Sequence, residues 1–217
     1  MIIAGFGRFG QIVGRLLFAS GIRATLLDSD PDEIDTMRRF DFRVFYGDAT
    51  RIDLLEAAGA ARARLIVVAL DDVAASLRLV DVVRQHFPAV TIVARARNVR
   101  HYLDLRARGV QHIERETFEA SLRAGRRALE LLGQGAYEAR EAADTFRAHN
   151  LDTLERLLPH LTDDATRLSV VRAAREQFER QFAQDRSAQE TRAQAWSGDA
   201  DARTPAGAAD PDEPAPS

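Results

Sequence analysis

The segment Gly5-Phe6-Gly7-Arg8-Phe9-Gly10 follows the short apolar run Ile2 to Ala4 and opens an amphipathic stretch, Phe9 to Ala19. Glycines at this spacing between a strand and a helix leave few folds open. Gly5 permits a tight turn, Gly7 lets an anionic group approach the backbone, and Gly10 allows the helix to pack closely on the strand. The free amides at the helix start then face an anion.

The chain beyond the turn repeats this alternation. Strand-like runs at Arg23 to Leu27, Val44 to Tyr46, Leu65 to Leu70, Val90 to Ala94 and Val110 to Ile113 are separated by helical patterns. These cover Pro31 to Phe40, Ile52 to Ala58, Val73 to His86 and Val99 to Arg108. Strands apolar on both faces and joined by helices predict a parallel sheet covered on both sides, an α/β doubly wound, Rossmann-like fold. After Arg115 the strand pattern stops. Helical periodicity then runs over Thr117 to Leu132, Tyr137 to about Leu158 and about Asp164 to Trp196. In the last of these Leu168, Val171, Phe178 and Phe182 form a moderate apolar stripe, suited to a surface or partner-facing helix. The expected organisation is a nucleotide-binding domain over 1–114, a helical extension over 115–196, and a disordered, Pro- and Ala-rich tail over 197–217. Only Met1 to Ala4 precede the turn, against about 5 or 6 residues in an ordinary strand, which raises the expectation that residues upstream have been removed.

The acid that such folds place about 20 residues after the glycines is Asp28, at the end of the second strand, where it reads ribose hydroxyls. An acid there favours NAD(H) or an adenosine ligand such as AMP over a 2′-phosphorylated one. Asp30 either shares that task or caps the helix beginning at Pro31. Asp48 and Ala49 follow the third strand and Asp71 the fourth, at carboxyl ends where ligands of this fold collect, although helix capping explains both positions equally well.

Composition excludes several functions. The net charge is -3, from 30 basic and 33 acidic residues, so nothing global points to nucleic acid. The absence of Cys removes disulfides, thiol catalysis and thiolate metal sites. Every basic residue is Arg, so the Tyr-Lys pair of one dehydrogenase class cannot be built, and the 5 His are scattered without metal-binding spacing. No apolar stretch approaches the roughly 20 residues that span a bilayer. Binding without turnover is the expectation, with no catalytic or metal-ligating residue assigned.

Ile2 to Gln11, Val44 to Arg51, Ala94-Arg95-Ala96-Arg97 and Glu114-Arg115-Glu116-Thr117-Phe118-Glu119 together resemble the C-terminal regulatory domain of the glutathione-gated potassium efflux proteins KefB and KefC, without obvious gaps to about Asn150. The resemblance implies a homodimer that binds an adenine nucleotide, AMP or NAD(H), in each crevice, with Gly5, Phe6, Gly7, Arg8, Phe9, Gly10, Asp28, Asp30, Asp48, Ala49 and Asp71 as its site. It further implies that glutathione or its S-adducts bind at the dimer interface through Arg15, Arg115 and Asn150. Phe40 would be the aromatic that senses the adduct's bulk. The partner implied is a membrane antiporter domain, absent from this chain, on the cytoplasmic face of a bacterial inner membrane, with a quinone oxidoreductase as an accessory. Two other classes stay open: a Trk-type regulator responding to nucleotide alone, and an NAD-dependent oxidoreductase.

Overall fold

The computed structural model describes residues 1–31, 37, 42–160, 169–170, 172–173, 175–177, 179–180 and 183. Six parallel strands form one sheet: β1 (Ile2–Ala4), β2 (Thr25–Asp28), β3 (Arg43–Tyr46), β4 (Leu65–Val68), β5 (Thr91–Ala96) and β6 (His112–Arg115), in the order β3-β2-β1-β4-β5-β6. The helices that connect them are α1 (Arg8–Ala19), α2 (Ile52–Ala57), α3 (Val73–His86) and α4 (Val99–Ala107); α5 (Phe118–Leu131) and α6 (Ala136–Leu157) follow the sheet. The expected α/β doubly wound sheet with a helical C-terminal part is therefore the observed architecture. From β1 the chain winds one way to β2 and β3, and from β4 the other way to β5 and β6. The reversal opens a crevice at the carboxyl ends of β1 and β4.

Central strands are the most apolar because both faces are covered. Ile3 pairs with Leu26 on one side and Val67 on the other, and all three are buried. The outer strands β3 and β6 are half exposed and carry Arg43 and Glu114. Phe6, Ala24, Met37 and Ala69 complete the cluster around Ile3.

Strand bounds differ from the sequence-based ones in an instructive way. β5 runs on to Ala96, past the expected end at Ala94, which puts Arg95 inside the sheet. Val110 was expected to start the last strand, but its N–H donates to Leu105 O at 3.2 Å and closes the end of α4. An apolar β-branched residue buried in a turn looks the same as one in a strand. Leu70, likewise, lies beyond β4 in the crevice wall.

Met1–Asp164 forms one compact unit and Ala165–Ser217 a second. The described residues of the second are helical, with an Arg175–Glu179 ion pair of 2.7 Å. Phe40, the apolar stripe of the last helix and the tail from 197 fall outside the described residues.

His101, on α4, is fully buried; its Nδ1 accepts the Arg97 N–H at 3.3 Å, and Asn98 caps the helix by accepting the His101 N–H at 2.9 Å. Burial pushes the imidazole below its ordinary pKa; Arg95, Arg108 and Arg97 add to this, while Asp104 opposes it. Above about pH 6.5 the ring is neutral whether the chain is folded or not, so it costs nothing. As pH falls through that value the unfolded chain takes up a proton that the folded chain refuses, and stability drops. His101→Asn keeps an acceptor for Arg97 but does not titrate, so its urea midpoint should fall less than the parent's between about pH 7.5 and pH 5.5.

Candidate functional site

The turn after β1 is shaped by backbone crowding. Gly5 has φ +90°, and a Cβ there would lie 2.8 Å from the carbonyl carbon of Ala69, the residue after β4. A Cβ on Gly10 would fall onto the Gly5 carbonyl oxygen. Both glycines are therefore required by the fold itself. Gly7 is different: the nearest atom to its Cβ position is Asp71 Oδ2 at 3.8 Å. Its bareness leaves an open approach to the first amides of α1, as ligand binding requires and folding does not.

These amides face a cleft of about 510 Å³ lined by Gly5, Gly7, Arg8, Asp28, Asp30, Asp48, Ala49, Asp71 and Asp72 among others. The fold thus brings together all the expected nucleotide residues except the phenylalanines and Gly10. Phe6 buries its ring in the core beside Phe42, at 5.7 Å, and Gly14 leaves room for it. Phe9 is half-buried against the same cluster and lies 5.7 Å beneath the Arg95 guanidinium.

Each acid has a distinct job. Asp28 accepts the Phe6 N–H through Oδ2 at 2.6 Å and the Asp30 N–H through Oδ1 at 2.8 Å, tying β2 to the glycine turn. One lone pair on each oxygen remains for a ribose hydroxyl. Asp48 accepts the N–H and the hydroxyl of Thr50 at 2.9 and 2.8 Å, which holds its carboxyl below the usual range. Asp72 is the cap of α3, accepting the Ala75 N–H at 2.6 Å. Asp71 instead forms a 2.8 Å ion pair with Arg95.

Arg95 and Glu116, which brace the crevice wall without lining it, are not among the expected site residues. Arg95 is 3% exposed, and its Nε and Nη2 donate to Glu116 Oε2 at 3.0 and 2.6 Å. The legible signal was a charged residue inside an apolar strand, since Arg is almost never fully buried without a partner. Arg97 donates to the Asp71 carbonyl at 3.0 Å and braces the same loop. Among the described residues no group of three or more His, Cys, Asp or Glu is placed to hold a metal ion.

Of the second expected group, Arg115 sits at the end of β6. The Arg115 guanidinium stacks on the Phe118 ring at 3.6 Å, and Phe118 stacks in turn on Phe146 of α6 at 6.3 Å. Burial lowers the Arg115 pKa, with Tyr102 and Glu119 opposing the shift. Asn150 lies one turn of α6 beyond Phe146. Arg115 Nη2 and Asn150 Oδ1 are both buried without a hydrogen-bond partner. Arg15 stands exposed on α1 beside the exposed Ile12 and Leu16.

A parallel sheet of this order, with a glycine turn and an acid at its switch point, defines a nucleotide-binding fold. Residues 1–116 match the TrkA-N domain and residues 120–199 the potassium efflux system KefB C-terminal domain. The chain belongs to the TrkA-N domain family, in the form carried at the C-terminus of KefB and KefC. It is 57% identical over 165 residues to the glutathione-regulated potassium-efflux system protein KefC of Klebsiella pneumoniae, covering 76% of this chain and 27% of that one. It therefore spans about a quarter of such relatives. Its fold matches the Kef C-terminal domain of Shewanella denitrificans, solved in AMP bound form, with TM-score 0.68 and 45% identity over 73% of this chain and 96% of that one. The TrkA-N domain of the inner membrane protein ybaL from Escherichia coli shares the fold, with TM-score 0.54, 24% identity and coverage of 60% and 94%. No described helix is long and apolar enough to cross a membrane.

The contrast between the glycines makes a test. Gly10→Ala should cost about 1–3 kcal/mol, seen as a lower urea midpoint at unchanged slope. Gly7→Ala should leave stability within about 1 kcal/mol of the parent, because its Cβ meets nothing closer than Asp71 Oδ2 at 3.8 Å. It should nonetheless weaken AMP binding by about tenfold or more in calorimetric titration, because the methyl blocks the approach to the α1 amides.

Proposed function

We propose that this domain gates potassium/proton antiport, and so K⁺ efflux, in an attached membrane domain in response to glutathione, its S-adducts and an adenine nucleotide. The observation that carries the reading is the orphaned pair at Arg115 and Asn150. A buried guanidinium nitrogen lacking an acceptor and a buried amide oxygen lacking a donor are costly unless something supplies both. A tripeptide with carboxylates, an ammonium and amide N–H groups does so: a carboxylate bonds Arg115 Nη2 and an N–H bonds Asn150 Oδ1. The Arg115–Phe118–Phe146 stack holds the guanidinium plane in place for that contact.

The nucleotide belongs in the crevice. Its phosphate sits at the amides of α1 near Arg8, and its ribose hydroxyls lie on Asp28. The AMP carried by the Shewanella relative supports an adenosine ligand; NAD(H) shares the same adenosine end. Asp28, Asp48 and Asp72 of the crevice accept backbone N–H groups and Asp71 pairs with Arg95, which supports binding without chemistry. Ile12, Arg15 and Leu16 share one exposed face of α1, and a second copy of the chain is its fitting occupant. Arg15 from that copy would complete the glutathione site across a homodimer.

In the reading's full form the domain lies on the cytoplasmic face of the inner membrane, gates a membrane antiporter domain for the potassium efflux that the longer relatives are named for, and offers an accessory quinone oxidoreductase a surface. Ligands bias the gate only by their differential affinity for its states.

Calorimetric titration of the 217-residue chain tests the proposal. S-hexylglutathione should bind the parent and lose about tenfold or more in affinity on Arg115→Ala, while AMP affinity stays within about threefold. AMP binding without any response to S-hexylglutathione would favour the Trk-type reading. Turnover of a bound nicotinamide would favour an oxidoreductase.

A further inference from the structure

The geometry points to Arg95 as the positioning residue through which the nucleotide crevice and the Arg115 surface influence each other, an inference that rests on the two-ligand reading above. One guanidinium is divided between the two places. Toward the crevice, Nη1 lies 2.8 Å from Asp71 Oδ1 and donates to the Ala69 carbonyl at 3.2 Å. Toward α5, Nε and Nη2 both hold Glu116 Oε2. Glu116 follows Arg115 in sequence, and its backbone N–H is fastened to the Ala96 carbonyl at 3.0 Å, so its side chain and Arg115 move on one stiff piece of backbone.

The loop closes through the glycine turn. Glu116 Oε1 lies 3.9 Å from Arg8 Nη2, and Arg8 is the first residue of α1, where an anion would sit. A phosphate there attracts Arg8 away from Glu116. It also repels Asp71, whose Oδ2 stands near Gly7 on the same side. Both displacements converge on Arg95. At 3% exposure this side chain cannot turn to water, and any carboxylate that shifts must be matched by the other. In the opposite direction, a tripeptide anchored on Arg115 fixes Glu116 and through Arg95 the position of Asp71 in the crevice wall. Linkage requires the two effects to be equal in size.

The experiment is a cross-titration of the full chain: the Kd for AMP with and without saturating S-hexylglutathione, and the reverse. The parent should show a cross-factor of about fivefold or more, identical in both directions. Arg95→Lys keeps a cation beside Asp71, but a compact ammonium cannot grip Glu116, Asp71 and the Ala69 carbonyl together. In this variant each ligand alone should bind within about threefold of the parent while the cross-factor falls to about 1. A merely structural role would lower both affinities and leave their ratio untouched.

Glu116→Gln, which keeps shape and removes charge, should give the same split should the buried Lys prevent folding. Glu114→Gln, on the exposed face of β6, should retain the parent's factor. Binding of both ligands with a parent cross-factor of 1 overturns the inference while leaving the two-ligand reading standing. So does a parental factor that survives in Arg95→Lys and Glu116→Gln. A parent that takes up no S-hexylglutathione overturns the reading beneath, and this inference with it.

Discussion

Where β1 and β4 end side by side, two backbones run closer than any side chain would permit. Gly5 faces the Ala69 carbonyl with no room for a Cβ, and the Gly5 oxygen in turn lies where a Cβ of Gly10 would be. This contact brings the start of α1 down onto the carboxyl edge of the sheet. Without it the amides of α1 would not face the crevice, and the Phe6 N–H would not reach Asp28 on the neighbouring strand. The ladder bonds continue past the strand ends, from Gly5 to Leu27, Gly47 to Asp28 and Ala69 to Ala4, so the turns that carry the site are stitched to the sheet.

A crevice walled by aspartates looks unsuited to an anion until the hydrogen bonds are followed. Asp28, Asp48 and Asp72 each accept backbone N–H groups, so their charge shapes turns and a helix start. Asp71 is matched by Arg95. The wall holds its form through these bonds, and the donors left facing outward belong to α1. The same economy appears at β6, where Arg115 is held by stacking on Phe118 and keeps a buried N–H uncommitted.

Legibility followed the range of the interaction involved. Gly5, Gly7, Gly10 and Asp28 were readable because their constraints are local: a turn, a close approach and an acid at a fixed distance along two strands. Asp71 and Asp72 were not separable in sequence, since both follow a strand and precede a helix. Only coordinates show one capping Ala75 and the other turned toward Arg95. Phe6, expected in the crevice, buries its ring in the core while its N–H reaches Asp28. Val110 was misplaced because burial in a turn and burial in a strand leave the same apolar residue behind.

The sequence alone determined the alternation of strands and helices, the glycine turn and the acid that answers it, because each depends on periodicity or on steric limits felt within a few residues. Which strands become neighbours, and so which charges meet, was decided only by the tertiary structure. Arg95, Asp71 and Glu116 are far apart along the chain and converge because β4, β5 and β6 lie in register with their carboxyl ends together. A buried guanidinium takes whatever acceptors the surrounding backbone delivers, and that delivery is a property of the folded sheet.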